Sequence, residues 1–541
     1  MREQTMTTAT VLLRQGKREQ IWQKYCGFLD LEIEAYMAIQ RRLLEEQLPR
    51  LASCSLGKRL MQGREPRTLE EFRARVPFTT YRDYAPLLAS RDDEPLPEKP
   101  VAWVHTSGRS GEYDYKWVPY TRRMFEIIGE STVAAFIMAS AKRRGDVVLR
   151  PRMKFPYAVA PEPYISGLLV ASLLEQIDFV SFPSIAESAA MDFQERIQSA
   201  FMSALNEGLD FFFGVSSILM RISSSFVDMG ARRGSAPPMH LTARGLLRLS
   251  GAILKSRLQG RQLLPRDIWK VKGALCGGMD TSIFKAKVAD SWGVEPLEGY
   301  ASTELGIIAA QTWAREGLTF FPEPNFWEFI TEKDYRSLME NPSYIPPSLL
   351  LNEVQPGSEY VLVGTSCHGG ALVRYIVGDL IKIVSLGEPA TGVRLPQMVF
   401  VSRIDDLIDV GGFTRLTEKT IWQAIEDSGV PYEEWTIRKE ARGDQPVLHL
   451  YVEMRDGEGT PEDVREAVRT ALKTLDPPYR DLEEMTGIQP LAVSLLSKGT
   501  FRRYFEERQA AGADPAHMKP PHINPSEKVI DKLLGMSAWK L

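Results

Sequence analysis

Cysteine is scarce in this chain of 541 residues, which has only four copies of it. They are Cys26, Cys54, Cys276 and Cys367. Because they lie far apart and never form a C-x-x-C pair, they indicate neither a zinc site nor a disulfide framework. We therefore expect a reducing compartment, the cytoplasm.

The chain also lacks a surplus of positive charge and a long apolar run. Its 66 Lys and Arg against 70 Asp and Glu give a formal net charge of -4, so nothing indicates a nucleic-acid partner. The apolar run from Ile165 to Leu174 is about half of the roughly 20 residues that span a bilayer. The N-terminus lacks the charged-then-apolar profile of a signal peptide. We expect a soluble intracellular protein with no membrane partner.

Length and composition predict an enzyme of at least two domains. A chain of 541 residues exceeds the size at which single cores stop growing. Its 44% hydrophobic and 25% charged residues are typical of globular proteins. We place a domain boundary at V-F-V-S-R-I-D-D, which gives a large N-terminal domain over 1–400 and a small C-terminal domain over 401–541.

Alternating strand and helix patterns predict an α/β fold for the large domain. Residues 272–306 show a buried strand, a Gly-Gly turn, a helix opened by Asp280 or Thr281, and a strand ending in Y-A-S-T-E. This alternation predicts mostly parallel sheets covered by helices. Ligands usually bind at the carboxyl ends of such strands.

A β-α-β pattern predicts that the small domain is an α+β unit. Alternating apolar residues predict a strand over 446–454, and Thr460-Pro461-x-Asp463 predicts the start of a helix. A second strand is predicted over 491–496.

The stretch T-S-G-R-S-G-E-Y-D-Y-K, Thr106 to Lys116, lies between two predicted strands and suits phosphate. Glycine lets backbone N–H groups approach phosphate oxygens, while hydroxyl and basic side chains add donors. A Walker loop is excluded because no Gly-Lys pair follows and the next element is a strand. Taken alone, the stretch is equally typical of a surface turn, and the neighbouring His105 is more typical of a core histidine than of a base. The candidate phosphate ligands are Ser107, Gly108, Arg109, Ser110, Gly111 and Lys116.

Three further motifs follow the loop in order: Y-A-S-T-E at 300–304, Y-I-V-G-D at 375–379 and S-R-I-D-D at 402–406. Together the four resemble the motif set of the adenylate-forming enzymes, which activate a carboxylic acid with ATP to an acyl-adenylate and release pyrophosphate. Within that superfamily the chain resembles the acyl acid amido synthetases of the auxin-responsive Gretchen Hagen family, which has bacterial members. Three stretches carry this resemblance: L-E-E-F-R-A-R-V-P-F-T-T-Y-R-D-Y (69–84), D-P-P-Y-R-D with its later G-T-F (476–501), and G-A-D-P-A-H-M-K-P-P-H (512–522).

The resemblance implies roles for the residues of Y-A-S-T-E. Tyr300 would stack on adenine, and Ser302 or Thr303 would meet the α-phosphate. Glu304 would hold Mg²⁺, because a carboxylate beside a triphosphate serves mainly as a ligand for that hard cation. The turn that passes along the adenine would consist of Gly277, Gly278 and Met279. An ordinary strand end and a tight structural turn are the alternatives.

Later residues would complete the site. Asp379 would bind the ribose hydroxyls, at roughly 1.5 to 3 kcal/mol for each charge-assisted contact. Arg403 would lie near the ribose and phosphate, and Asp405 would occupy the hinge about which the small domain rotates. Lys519 would stabilise the negative charge that adenylation builds, with Lys498 as its rival. A β-turn aspartate, a surface salt bridge and exposed lysines are the alternatives.

The chain departs from the family pattern in three places. Arg109 replaces a threonine, one residue is added before Lys116, and the terminal K-P-P-H lacks the arginine that usually follows proline.

We predict an ATP-dependent amide synthetase, with ATP and Mg²⁺ as cofactors, that joins a carboxylic acid to an amino acid or related amine. The alternatives are an acyl-CoA ligase of the same superfamily and a catalytically degenerate nucleotide-binding protein. The intact Tyr300-to-Glu304 motif, Asp379 and Lys519 argue against the degenerate protein.

Replacing Arg109 by the threonine of the family tests whether the guanidinium grips phosphate. We expect Arg109→Thr to weaken ATP binding by about tenfold or more and to slow pyrophosphate exchange, because a charge-assisted hydrogen bond is lost. ATP affinity and the exchange rate are the measurements. A variant with both values unchanged would rule out an essential phosphate-binding role.

Overall fold

The structure is a computed structural model that describes residues 8–106, 116–231, 241–278, 280–341, 343–404, 408–410, 414–442, 445–455, 459–480, 490–510 and 520–538. The chain divides into two compact units, Met1–Phe400 and Val401–Leu541. The functions that the sequence assigns to 1–400 and 401–541 stay predictions.

The first unit contains fifteen described α-helices, one short 3-10 helix (Gly27–Asp30) and, with the strand that crosses into the second unit, thirteen strands. The helices are α1 (Thr8–Arg14), α2 (Arg18–Cys26), α3 (Ile33–Ser53), α4 (Ser55–Leu60), α5 (Leu69–Arg75), α6 (Tyr81–Leu88), α7 (Arg122–Ser140), α8 (Ile165–Gln176), α9 (Ile185–Ala190), α10 (Phe193–Glu207), α11 (Ser216–Ala231), α12 (Ala243–Leu258), α13 (Pro265–Ile268), α14 (Asp280–Trp292) and α15 (Glu332–Glu340). The strands are β1 (Pro100–His105), β2 (Trp117–Thr121), β3 (Lys154–Pro156), β4 (Val180–Phe182), β5 (Phe211–Gly214), β6 (Gly273–Gly277), β7 (Leu297–Ser302), β8 (Gly306–Gln311), β9 (Leu318–Phe320), β10 (Asn325–Ile330), β11 (Glu359–Ser366), β12 (Tyr375–Ser385) and β13 (Gln397–Arg403).

Nine of these strands form the main sheet, in the order β10-β11-β12-β13-β9-β8-β7-β6-β5. The neighbours β5, β6 and β7 pair in parallel. The pairs β10–β11, β11–β12, β13–β9, β8–β9 and β7–β8 are antiparallel. The mixed α/β class, with a large first and a small second domain, is confirmed, but antiparallel pairs outnumber parallel ones in this sheet.

Connection length explains this difference from the mostly parallel sheets that we predicted. Parallel neighbours need a crossover of a dozen or more residues, and α11 to α14 supply these crossovers between β5, β6 and β7. The strands β7 and β8 are separated only by residues 303–305, so they can pair only as an antiparallel hairpin. The alternation in 272–306 therefore describes one edge of the sheet and not the whole of it.

Helix α7 packs against the main sheet because it is apolar almost all the way round. It begins after Thr121, whose Oγ1 accepts a hydrogen bond from the backbone N–H of Met124 at 3.2 Å, which satisfies one donor of the first turn. Every residue from Ser131 to Ser140 is buried. The helix contacts β6 and β8 on the sheet and α8 beside it, and so forms part of the first unit's core.

A buried ion pair joins distant parts of the first unit. The side chains of Arg374 and Glu328 are 0% and 1% exposed, and the closest of their contacts is 2.8 Å. Arg374 Nη1 also donates to the carbonyl oxygens of Arg73 at 3.0 Å and Val76 at 2.6 Å. Its guanidinium carbon lies 3.8 Å from the ring centroid of Phe78. One side chain, immediately before β12, therefore ties that strand to β10 and to the C-terminal end of α5.

The second unit is built on a three-stranded sheet. Its strands are β14 (Ile408–Val410), β15 (Thr414–Leu416), β16 (Tyr432–Arg442), β17 (Gln445–Met454) and β18 (Leu491–Leu496), and its helices are α16 (Glu418–Asp427), α17 (Pro461–Leu475), α18 (Thr500–Ala510) and α19 (Glu527–Ala538). In the sheet β16-β17-β18, β16 is antiparallel to β17, and β18 is parallel to it. Because α17 provides the crossover, the predicted β-α-β unit is confirmed, with Thr460 and Asp463 forming a capping box.

All four cysteines are free and buried in the first unit. Burial raises the pKa of the Cys367 thiol to about 12, and it also raises the pKa of Cys26 strongly. These thiols are therefore protonated at neutral pH.

Among the described helices, none combines the length and the hydropathy that a membrane crossing requires. The apolar run beginning at Ile165 instead forms most of α8, which has 12 residues and is largely buried.

The buried pair gives a stability prediction. Arg374→Met should lower the free energy of unfolding by about 3 to 5 kcal/mol, because Glu328 would keep a buried charge without its partner. Urea denaturation measures the change. The matched control is Arg336→Met on α15, which removes an exposed pair with Glu332 and should cost less than about 1 kcal/mol. Equal losses in both variants would contradict the assignment of Arg374 as a central tie.

Candidate functional site

The Y-A-S-T-E motif forms the end of β7 and the turn into β8. Ser302 Oγ accepts a hydrogen bond from the backbone N–H of Leu305 at 3.0 Å, which closes the turn. Gly306 follows with φ of +68°, and a Cβ at this position would lie 3.0 Å from Ile128 Cγ2. The glycine after the motif is therefore needed for both conformation and space.

Glu304 is a buried carboxylate at this turn, with 5% exposure. The hydroxyl of Tyr375, at the start of β12, donates to Glu304 Oε1 at 3.2 Å. A second tyrosine contacts the same turn, because the hydroxyl of Tyr120 donates to the carbonyl oxygen of Thr303 at 3.0 Å. Burial, and in second place the charge of Glu304, raises the pKa of Tyr120, so that hydroxyl stays protonated and keeps donating.

Tyr300 and Asp379 are directly hydrogen-bonded. The Tyr300 hydroxyl donates to Asp379 Oδ2 at 2.5 Å, and the two residues are 9% and 6% exposed. Four strand spacings separate β7 from β12 in the sheet order, about 19 Å in a flat sheet. The hydrogen bond therefore requires the sheet to curl, and the curl brings the second and third motifs together.

Asp379 sits at an irregularity of β12. Between the paired residues Ile376 and Leu380, three residues of β12 lie opposite one residue of β11, Leu362. Gly378 has φ of +83°, a conformation that favours glycine. Because such bulges re-aim side chains, the glycine of the G-D pair helps direct Asp379 towards Tyr300.

The Gly277-Gly278 turn follows the carboxyl end of β6, next to the carboxyl end of β7 that carries Tyr300. Gly277 ends β6 and is aligned with Gly299, the residue before Tyr300, in the neighbouring parallel strand. Gly278 has φ of +101° and its carbonyl oxygen accepts from the N–H of Thr281 at 3.2 Å. Met279 lies outside the described residues. The ring of Tyr300 is 5.8 Å, between centroids, from that of Phe400, and stacking on adenine stays a prediction.

The candidate phosphate loop lies between two strands, β1 and β2, as predicted, and these strands pair antiparallel. At its base, the N–H of Thr106 donates to the carbonyl oxygen of Lys116 at 3.2 Å, and Lys116 Nζ lies 5.7 Å from the ring centroid of Tyr81. The predicted ligands Ser107, Gly108, Arg109, Ser110 and Gly111 lie outside the described residues. The hairpin itself reaches the rest of the site, since Tyr120 of β2 contacts Thr303.

His105 is held as a core histidine. Its ring meets those of Trp117 and Tyr164 edge-on at 4.7 and 4.6 Å, and Nδ1 lies 2.9 Å from the carbonyl oxygen of Thr106. Burial lowers its pKa, so the ring is neutral at pH 7. These contacts favour a packing role for His105, beside the start of the loop, over a role as a general base.

The remaining candidates lie near or beyond the end of the first unit. Arg403 is the last residue of β13, and Lys498 is exposed in the turn before α18. Asp405 and Lys519 lie outside the described residues. Their proposed parts in catalysis and domain rotation stay predictions.

Sequence reasoning missed the tyrosines that hold this site. Tyr120 and Tyr375 contact the Y-A-S-T-E turn from two other strands, yet they stand far from it in sequence. Tyr375 did carry a signal, because it opens the Y-I-V-G-D motif. Tyr120 carried none beyond its place in a strand that follows the loop.

Two solved structures share this fold. One is titled AtGH3.15 acyl acid amido synthetase in complex with 2,4-DB, with a TM-score of 0.66, 16% identity, and coverage of 92% of this chain and 93% of that one. The other is 2-hydroxyisobutyryl-CoA ligase in the postadenylation state in complex with R3-HIB-AMP, with a TM-score of 0.62, 15% identity, and coverage of 93% of each chain. The chain thus shares its fold with an acyl acid amido synthetase and with a CoA ligase.

The family follows from three domain models. The GH3 family N-terminal, central and C-terminal domains match residues 27–181, 318–403 and 416–528, which together make up more than half of the chain. The chain therefore belongs to the GH3 family, the Gretchen Hagen family that its motifs resemble.

Two related proteins match shorter stretches of this sequence. The jasmonoyl-L-amino acid synthetase GH3.5 of Oryza sativa subsp. japonica is 26% identical over 285 residues, 49% of this chain and 47% of that protein. The GH3 domain-containing protein of Homo sapiens is 28% identical over 185 residues, 32% of this chain and 33% of that protein. The chain thus spans less than half the length of either relative in these matches.

The Tyr300–Asp379 contact gives a binding prediction. Asp379→Asn should raise the KM for ATP by about 10-fold or more, because each charge-assisted hydrogen bond to a ribose hydroxyl is worth about 1.5 to 3 kcal/mol. Tyr300→Phe, which keeps the ring, should raise it by about 2- to 10-fold, because the hydroxyl that orients Asp379 is lost while the carboxylate remains. Initial rates of pyrophosphate exchange at varied ATP are the measurement.

Tyr360→Phe is the matched control for these variants. Its hydroxyl on β11 accepts a hydrogen bond from the N–H of Gln355 at 3.1 Å, outside the Tyr300–Asp379 pair. We expect the KM for ATP to be unchanged. An unchanged KM in Asp379→Asn as well would remove Asp379 from the site.

Proposed function

We propose that this protein is an ATP-dependent acyl acid amido synthetase. A carboxylate oxygen of the acid attacks the α-phosphorus of ATP, the bond to pyrophosphate breaks, and an acyl-adenylate forms. The amine of an amino acid or similar compound then attacks the acyl carbon, loses a proton, and displaces AMP. The observation that carries the proposal is the Tyr300–Asp379 hydrogen bond, which joins two adenylation motifs within a GH3-family chain.

Asp379 and Tyr300 form the nucleoside side of the proposed site. A carboxylate can accept several hydrogen bonds, so the Tyr300 hydroxyl orients Asp379 and still allows it to accept from both ribose hydroxyls. Gly278 and Met279 pass along the adenine, where the absence of a side chain at Gly278 allows close approach. Arg403 supports the ribose and α-phosphate, which Ser302 or Thr303 contacts.

Glu304 is the proposed protein ligand of Mg²⁺. Its carboxylate suits a hard cation, and it is buried with a tyrosine hydroxyl holding one oxygen. In the part of the chain that is described, no cluster of three or more His, Cys, Asp or Glu could hold a metal by itself. This fits Mg²⁺, which is usually bound through one or two carboxylates, substrate phosphates and water. When bound, the cation would neutralise phosphate charge.

The phosphate ligands, the catalytic lysine and the hinge residue complete the proposal. Ser107, Gly108, Arg109, Ser110, Gly111 and Lys116 contact the β- and γ-phosphates. Lys519 places its ammonium against the charge that develops during attack on the α-phosphorus. Asp405 is the hinge about which the small domain turns between the two half-reactions.

An acyl-CoA ligase is the second candidate, supported by the fold shared with a CoA ligase. The two candidates share adenylation and differ only in what discharges the adenylate. The GH3-family domains over all three parts of the chain favour an amine. A reducing compartment such as the cytoplasm suits the four free buried thiols.

The test is acid-dependent exchange of labelled pyrophosphate into ATP across a panel of carboxylic acids. Acids that support exchange are then incubated with ATP, Mg²⁺ and either amino acids or CoA, and the products are identified by mass. We expect an amide and AMP. A thioester instead would establish the ligase. Bound ATP without exchange for any acid would show a degenerate nucleotide-binding protein.

Lys519→Ala should slow exchange by about 10² to 10³, the cost of losing one electrostatic donor in an active site. Lys498→Ala is the matched control, because Lys498 is exposed before α18, and its rate should change by less than about twofold. If Lys498→Ala slows exchange by this factor and Lys519→Ala does not, Lys498 is the catalytic lysine.

A further inference from the structure

His522, in the terminal K-P-P-H stretch, is clamped between two carboxylates. Nδ1 lies 2.7 Å from Glu418 Oε1, and Nε2 lies 2.8 Å from Glu434 Oε1. All three residues belong to the second unit. The histidine is 2% exposed, and it stands where the family signature has an arginine.

The geometry requires a positively charged ring. A neutral imidazole has one N–H donor, whereas both nitrogens of His522 face a carboxylate oxygen at hydrogen-bond distance. Burial alone would lower the pKa of His522, but the charges of Glu434 and Glu418 and the hydrogen bonds to them raise it to about 9. The ring is therefore an imidazolium at neutral pH.

Aromatic side chains enclose this cation. The ring of His522 stacks on that of Trp435 at 4.1 Å with 4° between the planes, and it meets Trp422 edge-on at 5.1 Å. The groups that face it are thus Glu418 and Trp422 on α16, and Glu434 and Trp435 on β16. Glu418 is the first residue of α16, where the helix dipole favours a negative charge.

The backbone around His522 docks on the same sheet. The N–H of Ile437 on β16 donates to the carbonyl oxygen of His522 at 2.7 Å, and the N–H of Asn524 donates to the carbonyl oxygen of Ile437 at 2.9 Å. The N–H of Lys439 donates to Asn524 Oδ1 at 3.0 Å. Residues 522–524 therefore add to the edge of β16 as a short parallel bridge.

We infer that His522 is a positioning residue: its cation, held by Glu418 and Glu434, anchors the chain beside Lys519 to the small domain. This inference rests on the proposed function. Lys519 stands three residues before His522 in the sequence, so the anchor acts on the same short stretch of chain.

His522 differs from the arginine of the family pattern in that its charge depends on pH. The usual arginine is always charged, whereas an imidazolium loses its charge in alkali. A cation held between a buried carboxylate, Glu418, and a partly buried one, Glu434, is costly to assemble, and its presence beside the proposed catalytic lysine fits a demand for exact placement. Positional errors of about 1 Å can cost on the order of 10²-fold in rate.

His522→Gln and His522→Arg test the role of the charge. We expect His522→Gln to lower kcat of pyrophosphate exchange by about 10- to 100-fold, with the KM for ATP changed less than about twofold. His522→Arg should retain more activity than His522→Gln, because it keeps a cation between the carboxylates. Thermal unfolding and circular dichroism identify variants that fail to fold.

The pH profile separates positioning from simple support of the fold. In the native chain, kcat should fall as the pH rises through about 9, and His522→Arg should lack this fall. The same contribution to stability is fully present below about pH 6.5, the unfolded pKa of histidine, and is lost as the pH rises through about 9. Glu434→Gln, which removes one carboxylate, should move the fall in kcat to lower pH.

His449→Gln is the matched control. Among the described residues of this unit, His449 also bonds a glutamate, with Nδ1 2.8 Å from Glu440 Oε2 and Nε2 2.8 Å from Ser494 Oγ. It lies on β17, away from the terminal stretch in sequence, and its variant should keep the native kcat and pH profile.

The outcomes distinguish this inference from the proposed function. If the native protein shows no exchange with any acid, the proposed function fails. If it exchanges and a folded His522→Gln keeps the native kcat and alkaline fall, the positioning role is overturned. A folded Glu434→Gln with a native pH profile would overturn it independently.

Discussion

The first unit depends on one buried guanidinium. Arg374 is paired with Glu328 and donates to two carbonyl oxygens at the C-terminal end of α5, so it fixes β12 against β10 and the N-terminal helical segment. The next residue, Tyr375, donates to Glu304, and Asp379 follows on the same strand. The candidate site thus lies a few residues from this buried ion pair. A site built this way inherits its geometry from the core rather than from a surface loop.

Local patterns in the sequence were sufficient for several elements. The alternation of 446–454 and the Thr460–Asp463 box predicted β17 and α17 because strand period and helix caps are properties of neighbouring residues. The main sheet was harder to predict. Its parallel edge follows from the pattern in 272–306, but the antiparallel remainder depends on short connections and on which strands close together, which no single segment encodes.

The site shows the same division between local and long-range information. Motif order and resemblance identified Tyr300, Glu304 and Asp379 separately, whereas the 2.5 Å contact between Tyr300 and Asp379 exists only because the sheet curls over four strand spacings. Tyr120 and His522 were missed as organising residues for a related reason. Each acts through partners about 90 to 180 positions away in sequence, and neither type of residue is distinctive until those partners are in place.

The distribution of thiols has a practical consequence for observing the second unit. All four cysteines lie before residue 401 and are buried, and burial raises the pKa of Cys367 to about 12, which suppresses the reactive thiolate. A cysteine introduced at an exposed position of Val401–Leu541 would therefore react with a maleimide dye far faster than any native thiol. The native thiols should therefore add little background labelling to fluorescence measurements on the second unit.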